Sequence, residues 1–184
     1  MPPFPAHSSP ATSGLPRLCF MSYRQIREFA MPVVAEYVDR AQIEVVDGSF
    51  DQALAIAQDR IERGEVDAFV SAGSNASILR AGLQSPVATI QLSGFDLFQA
   101  LIRASRIAPR VGVVMYGHTI PELDAVKELL NIEISQHAYR TPDDARQRFD
   151  ALRREGFEVI VGSSLVVELA QQAGLRGLLA YSLD

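Results

Sequence analysis

Residues 66–93 read VDAFVSAGSNASILRAGLQSPVATIQLS, and residues 157–182 read FEVIVGSSLVVELAQQAGLRGLLAYS. Each opens on an acid and a short apolar run. Each passes a small polar turn into a helical stretch that ends in Ala-Gly-Leu, at 81–83 and 173–175. Each then enters a second apolar run ending in Ser. The same order of features met twice is an internal repeat. It sets the fold, because the rest of the chain divides around it.

Outward from the repeat, the short apolar runs are 17–22, 42–47, 66–71, 87–92, 111–116, 132–137, 158–163 and 177–182. Most are near-continuous hydrophobics, the pattern of strands buried on both faces of a parallel sheet. The stretches between them have helical spacing. In FDQALAIAQDRIERG, Phe50, Leu54, Ile56, Ala57 and Ile61 share one face, and Gly64 stands where a C-terminal cap belongs. Thr141 is an N-cap with Pro142 at the first helical position, and Gly156 ends that helix. IPELDAVKELLN starts in the same way at Pro121. The first helix, about 23–39, contains Pro32 and is expected to kink or break there.

Strand and helix alternate, so the class is α/β. The repeat places two four-strand lobes, 16–106 and 107–184, joined near Ile107–Arg110. After Leu92 the chain runs through Ser93-Gly94 into the helix FDLFQALIRASR. The matching helix after Tyr181-Ser182 is missing, so the second lobe is expected to be truncated before it. Residues 1–15, rich in Pro and Ser, read as a disordered leader without the pattern of a signal peptide.

With 184 residues and 48% hydrophobic composition, the chain supports a sizeable core. A net charge of −5 without a basic patch argues against direct nucleic-acid contact. No apolar run reaches the roughly 18 residues of a membrane span. A cytoplasmic location follows. The single Cys19, inside an apolar run, reads as a small buried hydrophobe. It excludes a disulfide framework and a two-cysteine racemase. Three scattered His and one Cys give no metal site, and no cofactor is expected. There is no phosphate-binding loop, dinucleotide fingerprint or nucleophile elbow. A phosphoacceptor receiver is disfavoured, because the only Lys, Lys127, lies within a helix.

In parallel α/β sheets, ligands bind at the carboxyl ends of strands. Those ends are Met21-Ser22-Tyr23, Ser71 to Asn75, Leu92-Ser93-Gly94, Tyr116-Gly117-His118 and Gly162-Ser163-Ser164. All are small and polar, and four stand directly before helices, whose free N–H groups attract anions. A charge-assisted hydrogen bond contributes about 1.5–3 kcal/mol. Three or four of them reach the roughly 8 kcal/mol of micromolar binding. The alternative at each junction is a helix cap and nothing more. Asp96 reads as an acid favouring its helix start. Arg24 is the nearest expected positive charge.

Together, SAGSNASIL, QLSGFDLFQALIRA, VGVVMY and VIVGSSLVVELAQQAGLRGLLAYS resemble the N-terminal sensory domain of propionate-catabolism activators, the PrpR-type receptor domain. The pair Gly-Ser-Asn (73–75) and Ser-Gly-Phe-Asp (93–96) carries the resemblance most specifically. It covers nearly the whole chain after the leader. The resemblance implies two tandem three-layer α/β/α lobes with chelatase-like or flavodoxin-like halves. It implies a place before an AAA+ ATPase module and a helix-turn-helix module in a sigma-54-dependent transcription activator. The ATPase is restrained until a small carboxylate metabolite binds, 2-methylcitrate in the type case. The contact residues it implies are Ser22, Tyr23, Ser74, Asn75, Ser93, Gly94, Tyr116, His118, Ser163 and Ser164. No catalytic residues and no direct DNA contact by this stretch are implied. The competing reading is a small α/β lyase or isomerase acting on a dicarboxylate, with His118 as base. A homodimer is left open: Leu97, Phe98 and Leu101 have either the second lobe or a partner subunit to pack on.

Overall fold

A computed structural model describes residues 14–181, apart from the side chain of Arg24. The leader expected at 1–15 lies outside the described residues as far as Ser13. So do Ser182 and the charge expected from Arg24. The first half holds β1 (Arg17–Ser22), α1 (Arg24–Ala35), β2 (Gln42–Asp47), α2 (Phe50–Glu62), β3 (Ala68–Ala72), α3 (Gly73–Gly82) and β4 (Val87–Ile90). Then come α4 (Gly94–Ser105), β5 (Arg110–Tyr116), α5 (Leu123–Leu130), β6 (Glu133–Tyr139), α6 (Pro142–Arg154), β7 (Val159–Gly162), α7 (Ser164–Gln172) and β8 (Arg176–Leu179).

All eight expected strands form. They make two all-parallel sheets of identical order, β2-β1-β3-β4 and β6-β5-β7-β8. The registers match as well. Leu18 and Phe20 pair with Ala68 and Val70, as Val111 and Val113 pair with Val159 and Val161. Even the edge contacts repeat: Arg17 Nη1 donates to the Gly64 carbonyl at 2.5 Å, and Arg110 Nη1 to the Glu155 carbonyl at 2.7 Å. The expected helix ends are present. Gly64 and Gly156 take φ values of 64° and 82°, and Thr141 Oγ1 accepts from the Asp144 N–H at 3.1 Å.

Alternate residues of a strand face opposite sides. In the first lobe Cys19, Met21 and Phe69 pack against Ala53 and Ala57 of α2 and Leu79 of α3. In the second, Val114 and Ile160 lie under α6 and α7. The opposite face of the second sheet, Val111, Val113, Val159 and Val161, is covered by α5 and by α4. Helix α4 therefore leaves the first sheet and packs on the second, through Leu97, Ala100, Leu101 and Ala104. Burial of Leu97 and Leu101 contributes about 1.5–3 kcal/mol each. Along the chain the expected boundary leaves α4 with the first lobe; its packing is on the second.

Four details depart from expectation. The outer strands β2 and β4 of the first sheet are largely exposed, and β6 and β8 of the second are mostly half-buried, so near-continuous burial is confined to the central strands β1, β3, β5 and β7. Pro32 does not break α1, which runs on to Ala35. The bond it removes would lie in the last turn, and the Glu28 carbonyl left without that partner belongs to an exposed residue. Helix α5 starts at Leu123, not Pro121. Finally, Phe50 leaves the stripe of α2. Its φ is 50°, and its ring joins the core cluster of the second lobe with Val114 and Tyr139.

Candidate functional site

The carboxyl ends of both sheets meet across a cleft of about 510 Å³. The first lobe supplies Gly73 and Ser77 of α3 and the segment from Thr89 to Gly94. The second supplies Met115 to His118, Ser163 and Tyr181. The volume lies within the range of about 300–1,000 Å³ usual for small-molecule sites. Its apolar walls include Ile90, Leu92, Leu97, Met115 and Ile120. No Asp, Glu, Lys or Arg lines it among the described residues. An anion there meets hydroxyls, N–H groups and His118.

Of the ten residues expected at a site, Ser93, Gly94, Tyr116, His118 and Ser163 line this cleft. His118 is exposed on the loop after β5. Ser93 is a working cap. Its hydroxyl accepts from the Asp96 N–H at 3.1 Å, and the Asp96 carboxylate accepts from the Ser93 N–H at 2.8 Å. That carboxylate places negative charge at the start of α4 and disfavours an anion at that end. Gly94 stands in open space.

Ser163 leads into α7, whose first turn has no side-chain cap. Its Oγ lies 2.5 Å from Tyr139 Oη, and Tyr139 meets Tyr116 edge-on at 5.6 Å. Burial pushes the Tyr139 phenol well above its ordinary range, opposed by the hydroxyls of Ser163 and, from the other lobe, Ser74. Burial also raises the phenols of Tyr23 and Tyr181. All three stay protonated near neutrality. The start of α3 has no side-chain cap, and Tyr181 Oη stands beside Gly73 there, so a residue following β8 reaches a helix of the first lobe.

The other five expected residues lie outside the cleft wall. Ser22 is buried, and its Oγ donates to the Tyr23 carbonyl at 2.9 Å. Asn75 is 1% exposed and fully committed. Its Nδ2 donates to the Gly48 carbonyl at 2.7 Å, and its Oδ1 accepts from the Phe50 N–H at 3.1 Å. It holds the loop that carries Phe50 across to the second lobe. Ser74 and Ser164 are buried, and Tyr23 is half-buried. Tyr23 Oη lies near the Ser74 and Ser49 hydroxyls without reaching hydrogen-bond geometry, and Ser164 Oγ is likewise buried without a partner. Unpaired buried hydroxyls are uncommon in folded proteins.

Tyr139, Tyr181 and Gly73 were not among the expected site residues. The sequence did hold a signal for the tyrosines. Of five Tyr in the chain, Tyr23, Tyr116, Tyr139 and Tyr181 stand at or just past the carboxyl end of a strand.

A family model described as propionate catabolism activator matches residues 37–184. The chain belongs to this family. It is thus a regulatory domain of a transcription activator family. A crystal structure of an NtrC-family transcriptional regulator from Clostridium acetobutylicum superposes with a TM-score of 0.80 at 20% identity, over 91% of this chain and 88% of that one. At that identity the likeness is one of fold, and it covers both lobes. A LacI-family transcription repressor from Corynebacterium glutamicum matches at a TM-score of 0.47 and 10% identity, over 87% of this chain and 73% of the other, too distant for structural inference. No described helix is long and apolar enough to cross a membrane.

Proposed function

We propose that this is the sensory domain of a sigma-54-dependent activator, and that it binds a small carboxylate metabolite of the 2-methylcitrate kind between its two lobes. Binding relieves a restraint on a downstream AAA+ ATPase. The observation that carries the reading is the cleft of about 510 Å³, with walls from both lobes at the carboxyl ends of their strands. The carboxylates sit toward Ser163, His118 and the open first turn of α7, away from Asp96. The methyl-bearing carbon chain lies against Leu92, Met115 and Ile120.

The domain is not an enzyme on this reading. His118 has no carboxylate partner in the cleft wall, and paired acid and base groups are what lyase or isomerase chemistry needs.

Calorimetric titration with 2-methylcitrate and citrate tests the proposal. Micromolar binding is expected. Loss of one charge-assisted bond in His118→Ala weakens it roughly 10- to 100-fold. Scattering from the saturated protein should show compaction. Absence of heat with both ligands refutes the carboxylate reading. Conversion of the ligand, followed by proton NMR, refutes the sensor reading in favour of the enzyme.

A further inference from the structure

The two lobes are equivalent residue by residue, and they differ in one layer. The registers equate Leu18, Phe20 and Val70 of the first sheet with Val111, Val113 and Val161 of the second. Continued through the outer strands, they equate Ala88 with Leu178 and Ile90 with Ala180. In the second lobe this face is closed. Val111, Val113, Val161 and Ala180 are at most 1% exposed, under α4 lying beside α5. In the first lobe the same face is an open apolar groove of about 390 Å³. Leu18, Phe20, Val70 and Ile90 form its floor, and α1, the counterpart of α5, forms one wall. Ile90 is 40% exposed, and along α1 and the turn after it Phe29, Val33 and Tyr37 are 37%, 51% and 42% exposed. Much of the exposed large apolar surface among the described residues gathers at this groove.

We propose that the groove is the seat of an amphipathic helix supplied by the same polypeptide after β8. It crosses to the first lobe as α4 crosses from β4 to the second. The route is laid out. Tyr181, which follows β8, already stands in the groove wall and reaches the start of α3 in the first lobe. The occupant has the chemistry of α4, with Leu and Ala three and four residues apart on one face. Tyr181 also lines the ligand cleft, so the docked helix begins at the cleft wall. The inference rests on the proposed reading that further chain follows this domain, and is independent of which ligand the cleft takes.

A thiol reporter tests it. Cys19, the only cysteine, is 2% exposed, and burial pushes its thiol up to about 11, so it stays silent. Val33→Cys places a thiol on the groove wall, and Leu129→Cys places a control on an exposed site of α5, 71% exposed in the wild type. Maleimide labelling at each position is followed by peptide mass spectrometry in residues 1–184 and in the full-length gene product. The expected result is roughly tenfold or greater protection at Val33→Cys in the longer protein only, with no change at Leu129→Cys. Equal labelling of Val33→Cys in both proteins overturns the proposal, as does equal protection at both positions. Protection in residues 1–184 that grows with protein concentration also overturns it and assigns the groove to a second copy.

Discussion

Replacing Asn75 by Ala separates a contact of the ligand from a clamp on the fold. Asn75 is 1% exposed, and both polar atoms of its amide are engaged within the first lobe, on the Gly48 carbonyl and the Phe50 N–H. Truncation leaves those two backbone groups without partners in a poorly hydrated place. Each such loss costs about 1–3 kcal/mol, so the pair comes to roughly 2–6 kcal/mol. For a chain of this size 1 kcal/mol moves the melting temperature by about 2–4 °C, which puts the expected fall at roughly 4–24 °C. The Phe50 backbone, held at φ 50°, loses its restraint together with the ring that anchors the lobes to each other. Circular dichroism melts measure the first effect. Titration with 2-methylcitrate well below the new midpoint measures the second, and affinity should change by less than about tenfold if the amide contributes no direct contact. An unchanged melting temperature with binding abolished would refute the clamp and return Asn75 to the ligand.

Two further outcomes follow from the same contacts. Tyr181→Phe removes the phenol that stands beside Gly73 at the start of α3; a capping bond there contributes about 0.5–1.5 kcal/mol, so its loss lowers the melting temperature by roughly 1–6 °C, and an unchanged melt shows that the phenol caps nothing. Asp67 and Glu133 are held below the ordinary carboxylate range by Arg17 and Arg110, with N···O distances of 2.8 Å in both pairs. Because their folded values are the lower ones, their stabilisation is present above the unfolded carboxylate range and is lost as pH falls through the folded values. Asp67→Asn should therefore flatten the acid limb of melting temperature against pH, and an acid limb identical to wild type counts against any role for the pair.

The fold was legible because apolar runs and turn residues report local structure directly. VDAFVSAGSN and EVIVGSSL show strand, turn and helix in a dozen residues, and Gly64, Thr141 and Gly156 mark helix ends by their own backbone chemistry. What escaped is long-range. GFDLFQALIRAS left open whether its apolar face meets the second lobe or a partner subunit, and only the folded packing of Leu97 and Leu101 decides for the second lobe. Nothing in SFDQALAI says that Phe50 faces the other lobe while Ala53 and Ala57 face their own. The site divides the same way. Small polar residues at strand ends pointed to the carboxyl edge of each sheet, and half of the ten expected residues line the cleft that lies there. The others differ in what their polar atoms bond: the Asn75 amide and the Ser22 hydroxyl are engaged locally, a fact set by neighbours 25 or 27 residues away for Asn75 and one residue away for Ser22.

On the proposed reading, the division of donors between lobes also explains how so spare a cleft could switch. Moving a two-state domain from 1:99 to 99:1 requires about 5.5 kcal/mol of differential affinity. A ligand held by one lobe alone supplies none of it, because those bonds exist in the open and closed states alike. Only bonds made on closure count. If the first lobe binds through Ser77, Gln91 or the start of α3, closure adds His118 and Ser163 of the second. Two charge-assisted bonds contribute roughly 3–6 kcal/mol, which is the magnitude needed. The absence of Lys and Arg from the described cleft wall fits this arithmetic. A strong ion pair in one lobe would tighten binding to the open form without shifting the balance, whereas modest donors shared by both lobes turn most of the binding energy into closure.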